Sequence, residues 1–236
     1  MRYRALGFDD VSLIPGYNGI DSPQDVEVAM KDLTQKLSLA LPIISSNMDT
    51  ITGSKMANFL GGRGGMGALH RAMTIDLNVA EFKKVTFPVF VSVGCDDLAR
   101  IEALRDAGAD YFCMDLAHGH TRYLGNALKR AREMLPNACI LAGNVATYDG
   151  ASFLARNGAD MIKVGVGSGS VSSTRTKTGF GVPPLTAIAD CKRINRSIVA
   201  DGGIRTSGDM VKALAFGADF CMVGGMFAGC ESTPGQ

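Results

Sequence analysis

The chain has 236 residues, with 24 Lys and Arg against 23 Asp and Glu, a formal net charge of +1. That balance lacks the concentrated basic surface that nucleic acid or an anionic membrane usually requires, so neither is an expected partner. Apolar residues make up 46% and charged residues 20%, enough for a sizeable core and outside the range of intrinsic disorder. No apolar run approaches the roughly 20 residues of a spanning helix, and Asp9 and Asp10 arrive before any apolar signal segment could form. A soluble, cytoplasmic chain is expected. The six cysteines contain no Cys-x-x-Cys pair, so reduced and mostly buried thiols are expected in place of zinc ligands or disulfides. The 29 glycines are spread along the chain with no low-complexity tract to absorb them, which places them in many tight loops.

Short apolar segments recur in chain order, most of them followed by a stretch of helical period. The strands expected are Leu41–Ser46, Met66–His70, Pro88–Val93, Tyr111–Asp115, Cys139–Gly143, Met161–Gly165, Ser197–Asp201 and Asp219–Gly224. Between them, helices are expected over Ser54–Leu60, Ile75–Lys84, Leu98–Ala107, Arg122–Met134, Gly150–Arg156, Leu185–Arg193 and Gly208–Phe216, with Ala127, Ala131 and Leu135 showing the apolar spacing of one buried helical face. Three Gly-Ala-Asp triplets, at 108–110, 158–160 and 217–219, each close a helix and open a strand, with Gly where a left-handed residue is cheap. Eight such βα units predict an α/β fold, a (β/α)₈ TIM barrel of the usual length of about 250 residues, as a single domain over 1–236. A doubly wound open sheet is the alternative that the same pattern allows. The sequence ends at Gln236, soon after the eighth strand. The eighth helix and a C-terminal segment are therefore expected to be missing. The open seam between the eighth and first strands is expected to expose apolar surface, covered by a second copy of the chain or by a partner.

Barrel chemistry gathers at the C-terminal ends of the strands. The sixth strand runs into the glycine- and serine-rich loop Gly165–Arg175, the seventh ends in Asp201-Gly202-Gly203 and the eighth in Gly224-Gly225. Glycine turns after the seventh and eighth strands form the common barrel phosphate site, because backbone N–H groups can close on an anion there.

Taken in order, Asn47-Met48-Asp49-Thr50, Ala142-Gly143-Asn144-Val145, Gly165–Arg175, Asp201-Gly202-Gly203-Ile204-Arg205 and Gly224-Gly225-Met226 resemble the IMP dehydrogenase and GMP reductase family. The resemblance covers nearly the whole chain. It implies a (β/α)₈ barrel that binds a purine monophosphate, GMP or IMP, and uses a nicotinamide cofactor. Arg175–Gly181, Gly224-Gly225-Met226 and the direct passage from His70 to Pro88, where most dehydrogenases carry an insert, are closer to the reductases. This favours an NADPH-dependent conversion of GMP to IMP and ammonia. By the same resemblance Asp201, Gly202, Gly203, Ser170, Gly224 and Gly225 hold the nucleotide, and Arg71, Asp115, Leu116, Ala117, Val166 and Gly167 face NADPH. Gly167, Gly169, Ser172 and Arg175 match a monovalent-cation loop, with potassium the ion suggested. His118 and His120 fall in a pattern seen in some reductases, a solvated loop being the plainer reading of each, and His70 fits a packing role as well as a functional one.

Two departures bear on mechanism. The family nucleophile is a cysteine, and its position here is Ser172; a hydroxyl is a far weaker nucleophile than a thiolate near neutrality. Thr174 matches the family's proton-relay threonine, whereas Ser173 stands where threonine is common. The family's mobile segment after the eighth strand has no counterpart here. A catalytically disabled nucleotide-binding regulator or partner subunit is therefore the rival reading, with IMP dehydrogenase third.

Overall fold

The computed structural model describes residues 5–169 and 174–235. After an N-terminal stretch with 3-10 turns at Phe8–Asp10 and Pro23–Asp25, a small antiparallel hairpin of β1 (Met30–Lys31) and β2 (Ser38–Leu39) precedes the βα units. These run β3 (Ile43–Ser45), α1 (Ser54–Gly61), β4 (Met66–Leu69), α2 (Ile75–Lys83), β5 (Val89–Val93), α3 (Leu98–Asp106), β6 (Tyr111–Asp115) and α4 (Arg122–Met134). They continue with β7 (Cys139–Val145), α5 (Tyr148–Arg156), β8 (Met161–Val164), the short α6 (Thr174–Thr178), α7 (Pro184–Cys191), β9 (Ser197–Asp201), α8 (Ser207–Ala215) and β10 (Phe220–Val223). Strands β3 to β10 are parallel and close into a barrel, β10 pairing with both β9 and β3. Closure rules out the open-sheet alternative.

The helix ends follow local chemistry. The side chains of Thr74, Thr121, Thr147 and Thr206 accept hydrogen bonds from the N–H groups of Leu77, Leu124, Gly150 and Asp209, and each such cap is worth about 1 kcal/mol. Capping by Thr147 and Thr206 starts α5 at Tyr148 and α8 at Ser207, slightly earlier than the apolar pattern alone predicts. At the other end, Gly108, Gly158 and Gly217 have φ of +99°, +112° and +111°. In each triplet the Gly and Ala N–H groups bond back to the last carbonyls of the helix, as in Gly158 to Ala155 and Ala159 to Leu154, the paired pattern of a Schellman end. The aspartates then serve the sheet. Asp160 and Asp219 accept from the N–H groups of Ile140 and Ile198, fixing the starts of neighbouring strands.

Alternating strand residues divide the core in two. Ile44, Phe90, Leu141, Met161, Phe220 and others pack inside the barrel, while Val91, Phe112, Ile140, Ile162 and Ile198 pack outward against the helices. The bottom is stoppered by the hairpin: Leu37 and Leu39 join the inner cluster, and the buried Asp32 carboxylate accepts from the N–H groups of Thr34 and Leu37.

The seam expectation needs correcting. Cys221, Met222 and Val223 pair in register with Ile43, Ile44 and Ser45, so the sheet has no break there. Strand closure depends on backbone hydrogen bonds and needs no helix behind it. On the outer face, Cys221 and Val223 are buried in a cluster that Met210 and Phe227 also join, and residues 224–235 form turns, one of which brings Gly235 N–H onto the Thr50 carbonyl. No helix among the described residues is long and apolar enough to cross a membrane.

Candidate functional site

At the C-terminal ends of the strands a cavity of about 480 Å³ opens, within the range of small-molecule sites. Asp115, Leu116 and Ala117 line it from β6, Gly167 and Gly169 from the loop after β8, Asp201, Gly202 and Gly203 from β9, and Gly224 and Gly225 from β10. Arg71, after β4, reaches it from the far edge. An adjoining hollow between Asn47, Asp49, His70 and Lys163 shares Arg71, Asp115 and Asp201 with it.

Val166 packs its side chain in the outer core and its carbonyl accepts from the Val182 N–H at 3.1 Å, so only its backbone is close to the mouth. Ser170 and Ser172 lie outside the described residues. Thr174 is the first residue of α6. Arg175 is brought against the cation-loop backbone, its Cβ 3.1 Å from where a side chain on Gly167 would begin. No cluster of three or more His, Cys, Asp or Glu suited to a metal occurs among the described residues. His120 packs on Phe153 with ring centroids 5.1 Å apart, a structural contact, and His118 is exposed.

The centre of the site is a residue that pattern reading passes over. Lys163, in the middle of β8, is only 4% exposed. Its ammonium lies 2.6 Å from Asp115 Oδ2 and 3.0 Å from Asp201 Oδ2. Asn47 Nδ2 donates to Asp115 Oδ2 at 3.1 Å and to Ser92 Oγ at 2.9 Å. Asn144 Nδ2 donates to Asp201 Oδ2 at 2.8 Å and to the Gly165 carbonyl at 2.8 Å, from a residue whose peptide bond with Gly143 is cis. A side chain at Gly143 would start 2.5 Å from Lys163 Cβ, so the glycine in that motif makes room for the lysine. Each carboxylate thus has one oxygen pinned by Lys163 and an amide, and both aspartates line the cavity.

Electrostatics follow from this packing. Burial pushes the Asp115 carboxyl up, but the Lys163 ammonium, Asn47 and Arg71 outweigh it and hold the group below the usual carboxylate range. Burial pushes Lys163 down, yet Asp201 and Asp115 hold its pKa above that of an ordinary lysine. His70 is lowered by burial against the opposing pull of Asp49 and Glu81, and its Nδ1 accepts from the Ala72 N–H at 3.1 Å, as a neutral imidazole can. The buried thiols offer no substitute for the family cysteine: burial raises Cys95, Cys113 and Cys139 and pushes Cys191 and Cys221 up to about 12.

The glycine turns form a concave backbone surface. Gly202 and Gly203 have φ of +89° and +81°, and a side chain on Gly202 would begin 2.7 Å from Ser168 Oγ and 3.1 Å from Gly169 N. The two turns therefore approach each other at a distance only glycine permits. Gly225 faces open space, with nothing within 4 Å of its Cβ direction. A phosphate fits such a cradle, and the Asp201 carboxylate beside it suits the hydroxyls of a ribose.

Comparison with known proteins gives the same direction. The family model described as the IMP dehydrogenase / GMP reductase domain matches residues 5–236. An inosine-5'-monophosphate dehydrogenase of Borreliella burgdorferi is 35% identical over 98% of this chain and 72% of its own length. A GMP reductase of Salmonella arizonae is 39% identical over 98% of this chain and 71% of its own. A crystal structure of inosine 5' monophosphate dehydrogenase from Legionella pneumophila superimposes with a TM-score of 0.96 at 63% identity, covering 99% of this chain and 73% of that one. With barrel, mouth and sequence in agreement, the chain belongs to the IMP dehydrogenase and GMP reductase family of oxidoreductases.

Proposed function

We propose that the chain binds GMP at the barrel mouth and, with NADPH, belongs to the reductase side of its family, forming IMP and ammonia. The observation that carries the nucleotide reading is the meeting of Asp201-Gly202-Gly203 with Gly224-Gly225 around one cavity. In this reading the Asp201 carboxylate accepts from the ribose hydroxyls, and the glycine N–H groups receive the phosphate. Arg71, Asp115, Leu116 and Ala117 form the cofactor edge, with the guanidinium offered to the cofactor's phosphates. Bound NADPH supplies a hydride to the purine carbon from which ammonia departs. Ser172 stands at the position from which the family's thiolate attacks, and its hydroxyl stays protonated near neutrality. The reductase preference rests on the segment Arg175–Gly181, on Met226 after the paired glycines, and on length. The Salmonella reductase aligns over 249 positions and the Borreliella dehydrogenase over 291, so many more of the latter's positions have no counterpart here.

The dehydrogenase reading draws on the 63% identity to the Legionella protein. Two assays separate them: NADPH oxidation with ammonia release from GMP, and NAD reduction with IMP. We expect GMP binding by calorimetry and slow GMP-dependent NADPH oxidation, raised at least about tenfold, or 1.4 kcal/mol of barrier, by Ser172→Cys. NAD reduction with IMP by the unaltered chain moves it to the dehydrogenase side. Tight GMP binding with no turnover, unaltered by Ser172→Cys, favours a regulatory nucleotide-binding subunit.

Asp201→Asn tests the nucleotide geometry without removing the side chain from beside Lys163. Losing the charged acceptor is expected to cost about 1.5–3 kcal/mol of GMP affinity, roughly a ten- to hundredfold rise in Kd. A Kd within twofold of the unaltered chain removes Asp201 from the nucleotide site.

A further inference from the structure

Arg100 has no place in the chemistry above, yet it is a guanidinium only 8% exposed, on α3 outside the barrel. A charge is rarely taken so far from water without partners that fix it. Its Nε donates to Asp97 Oδ2 at 2.5 Å, in the loop after β5. Its Nη2 donates to the Met73 carbonyl at 2.9 Å, at the end of the loop after β4, and its Nη1 to Asn78 Oδ1 at 2.9 Å, on α2. Asn78 is fully buried and passes the connection on, its Nδ2 donating to the His70 carbonyl at 3.4 Å. Both ends of the four-residue loop 70–73 are therefore tied to one guanidinium, directly at Met73 and through Asn78 at His70.

Between those anchors stands Arg71. It lines both hollows of the mouth, lies near enough to Asp115 to lower that carboxyl, and has its Nη1 3.8 Å from where a side chain on Gly94 would begin. Gly94 belongs to the same 94–97 loop that Asp97 ties to Arg100. The network thus joins the loop that carries Arg71 to the loop over which Arg71 lies. Packing of α2 on α3 alone does not ask for a guanidinium, since a methionine of similar reach fills the space without the cost of desolvating a charge. What the planar fork adds is three acceptors held in one fixed geometry.

We infer that Arg100 is a positioning residue for the cofactor edge: it locks the 70–73 and 94–97 loops together so that Arg71 is held over the mouth, ready for a phosphate-bearing cofactor. The inference rests on the proposed role of Arg71 toward NADPH. A misplacement of the order of an ångström costs up to about a hundredfold in a preorganised site, so loss of the clamp is read in the cofactor term and leaves the purine nucleotide, held on the opposite edge, unaffected.

The test compares the unaltered chain with Arg100→Met, Arg100→Lys and Arg71→Met, titrating NADPH by its fluorescence with GMP present and GMP alone by calorimetry, and following amide hydrogen exchange. Arg100→Met is expected to weaken NADPH about tenfold, with GMP affinity within twofold and faster exchange confined to residues 70–73 and 94–97. Arg100→Lys, which keeps the charge and loses the fork, is expected to recover part of the loss. Unchanged exchange in both loops, or equal weakening of GMP and NADPH, overturns the positioning role. Should the loops loosen while neither Arg100→Met nor Arg71→Met alters NADPH affinity, the cofactor assignment of Arg71 fails, and the role given to Arg100 fails with it.

Discussion

Replacing Lys163 with Met is expected to destabilise the protein by about 3–5 kcal/mol, because removing one partner of a buried ionic cluster leaves the others uncompensated. The lysine holds Asp115 at 2.6 Å and Asp201 at 3.0 Å, with side-chain exposures of 6% for the lysine and 19% for each aspartate. Without the ammonium, two carboxylates remain at the top of the barrel with amide donors and, for Asp115, the Arg71 charge to offset its burial. The pH dependence carries a sign. In the unaltered chain the Asp115 carboxyl titrates below its unfolded value, so its contribution is present above that value and is lost as pH falls through the folded one. In Lys163→Met the Asp115 carboxyl loses its largest stabilising charge and takes up a proton more readily on folding, so the stability gap between the two proteins narrows as pH falls toward about 4. Urea unfolding at neutral and acid pH measures both. A neutral-pH loss under 1 kcal/mol, or a gap that widens in acid, contradicts the electrostatic role. The double variant Lys163→Met with Asp115→Asn is expected to regain part of the loss, since it removes one of the two stranded charges.

Gly165→Ala is expected to be nearly as costly for a steric reason. Gly165 follows β8 with φ of +152°, and a Cβ there would lie 1.9 Å from the Asp201 carbonyl and 2.8 Å from Ser168 Oγ. The nearer obstacle is the Asp201 backbone, and Gly165 is itself held in place: its N–H donates to the Val145 carbonyl at 2.9 Å, and its own carbonyl receives Asn144 Nδ2. Relief requires the end of β9 to move, and with it Asp201 and the glycines that follow. Overpacking and backbone strain together are expected to cost about 3 kcal/mol or more, a fall of roughly 6–12 °C in Tm for a chain of this size, with GMP affinity reduced at least about tenfold. Gly108→Ala is the comparison, since φ there is +99° but nothing lies within 4 Å of the added carbon. It is expected to cost only the backbone term, about 1–2 kcal/mol, and to leave GMP binding intact. Equal effects at the two positions rule out the close approach at Gly165 as the cause.

Much of the barrel is legible in the amino-acid order because each βα unit carries its own signals. Apolar runs of four to five residues mark the strands, threonine caps open helices, and the Gly-Ala-Asp triplets close them, so every expected strand and helix has a counterpart in the structure. The hairpin Met30–Leu39 escapes notice because its two strands have two residues each, too short for alternation to register. The five-residue α6 is hidden in a loop read for its glycines. At the site, Asp201 and the glycine turns announce themselves at strand ends, whereas Lys163 is buried inside the run Met-Ile-Lys-Val and reads as a minor interruption of an apolar strand. One charged residue at an inward position of a barrel strand was the available signal. Asn47 and Asn144 stand inside the motifs that carry the family resemblance, but their amides acquire meaning only when the fold brings them to the two carboxylates.

The threonine caps have a consequence for remodelling. Because α2, α4, α5 and α8 each begin on a threonine that supplies its own starting hydrogen bond, the register of each helix is decided downstream of the loop that precedes it. Segments between a strand end and its threonine can therefore be exchanged without moving the hydrogen bond that starts the following helix, the 70–73 loop excepted because Arg100 and Asn78 tie it to α3 and α2. Crossover points placed immediately before Thr121, Thr147 and Thr206 are the natural seams for recombining substrate preference among barrels of this kind.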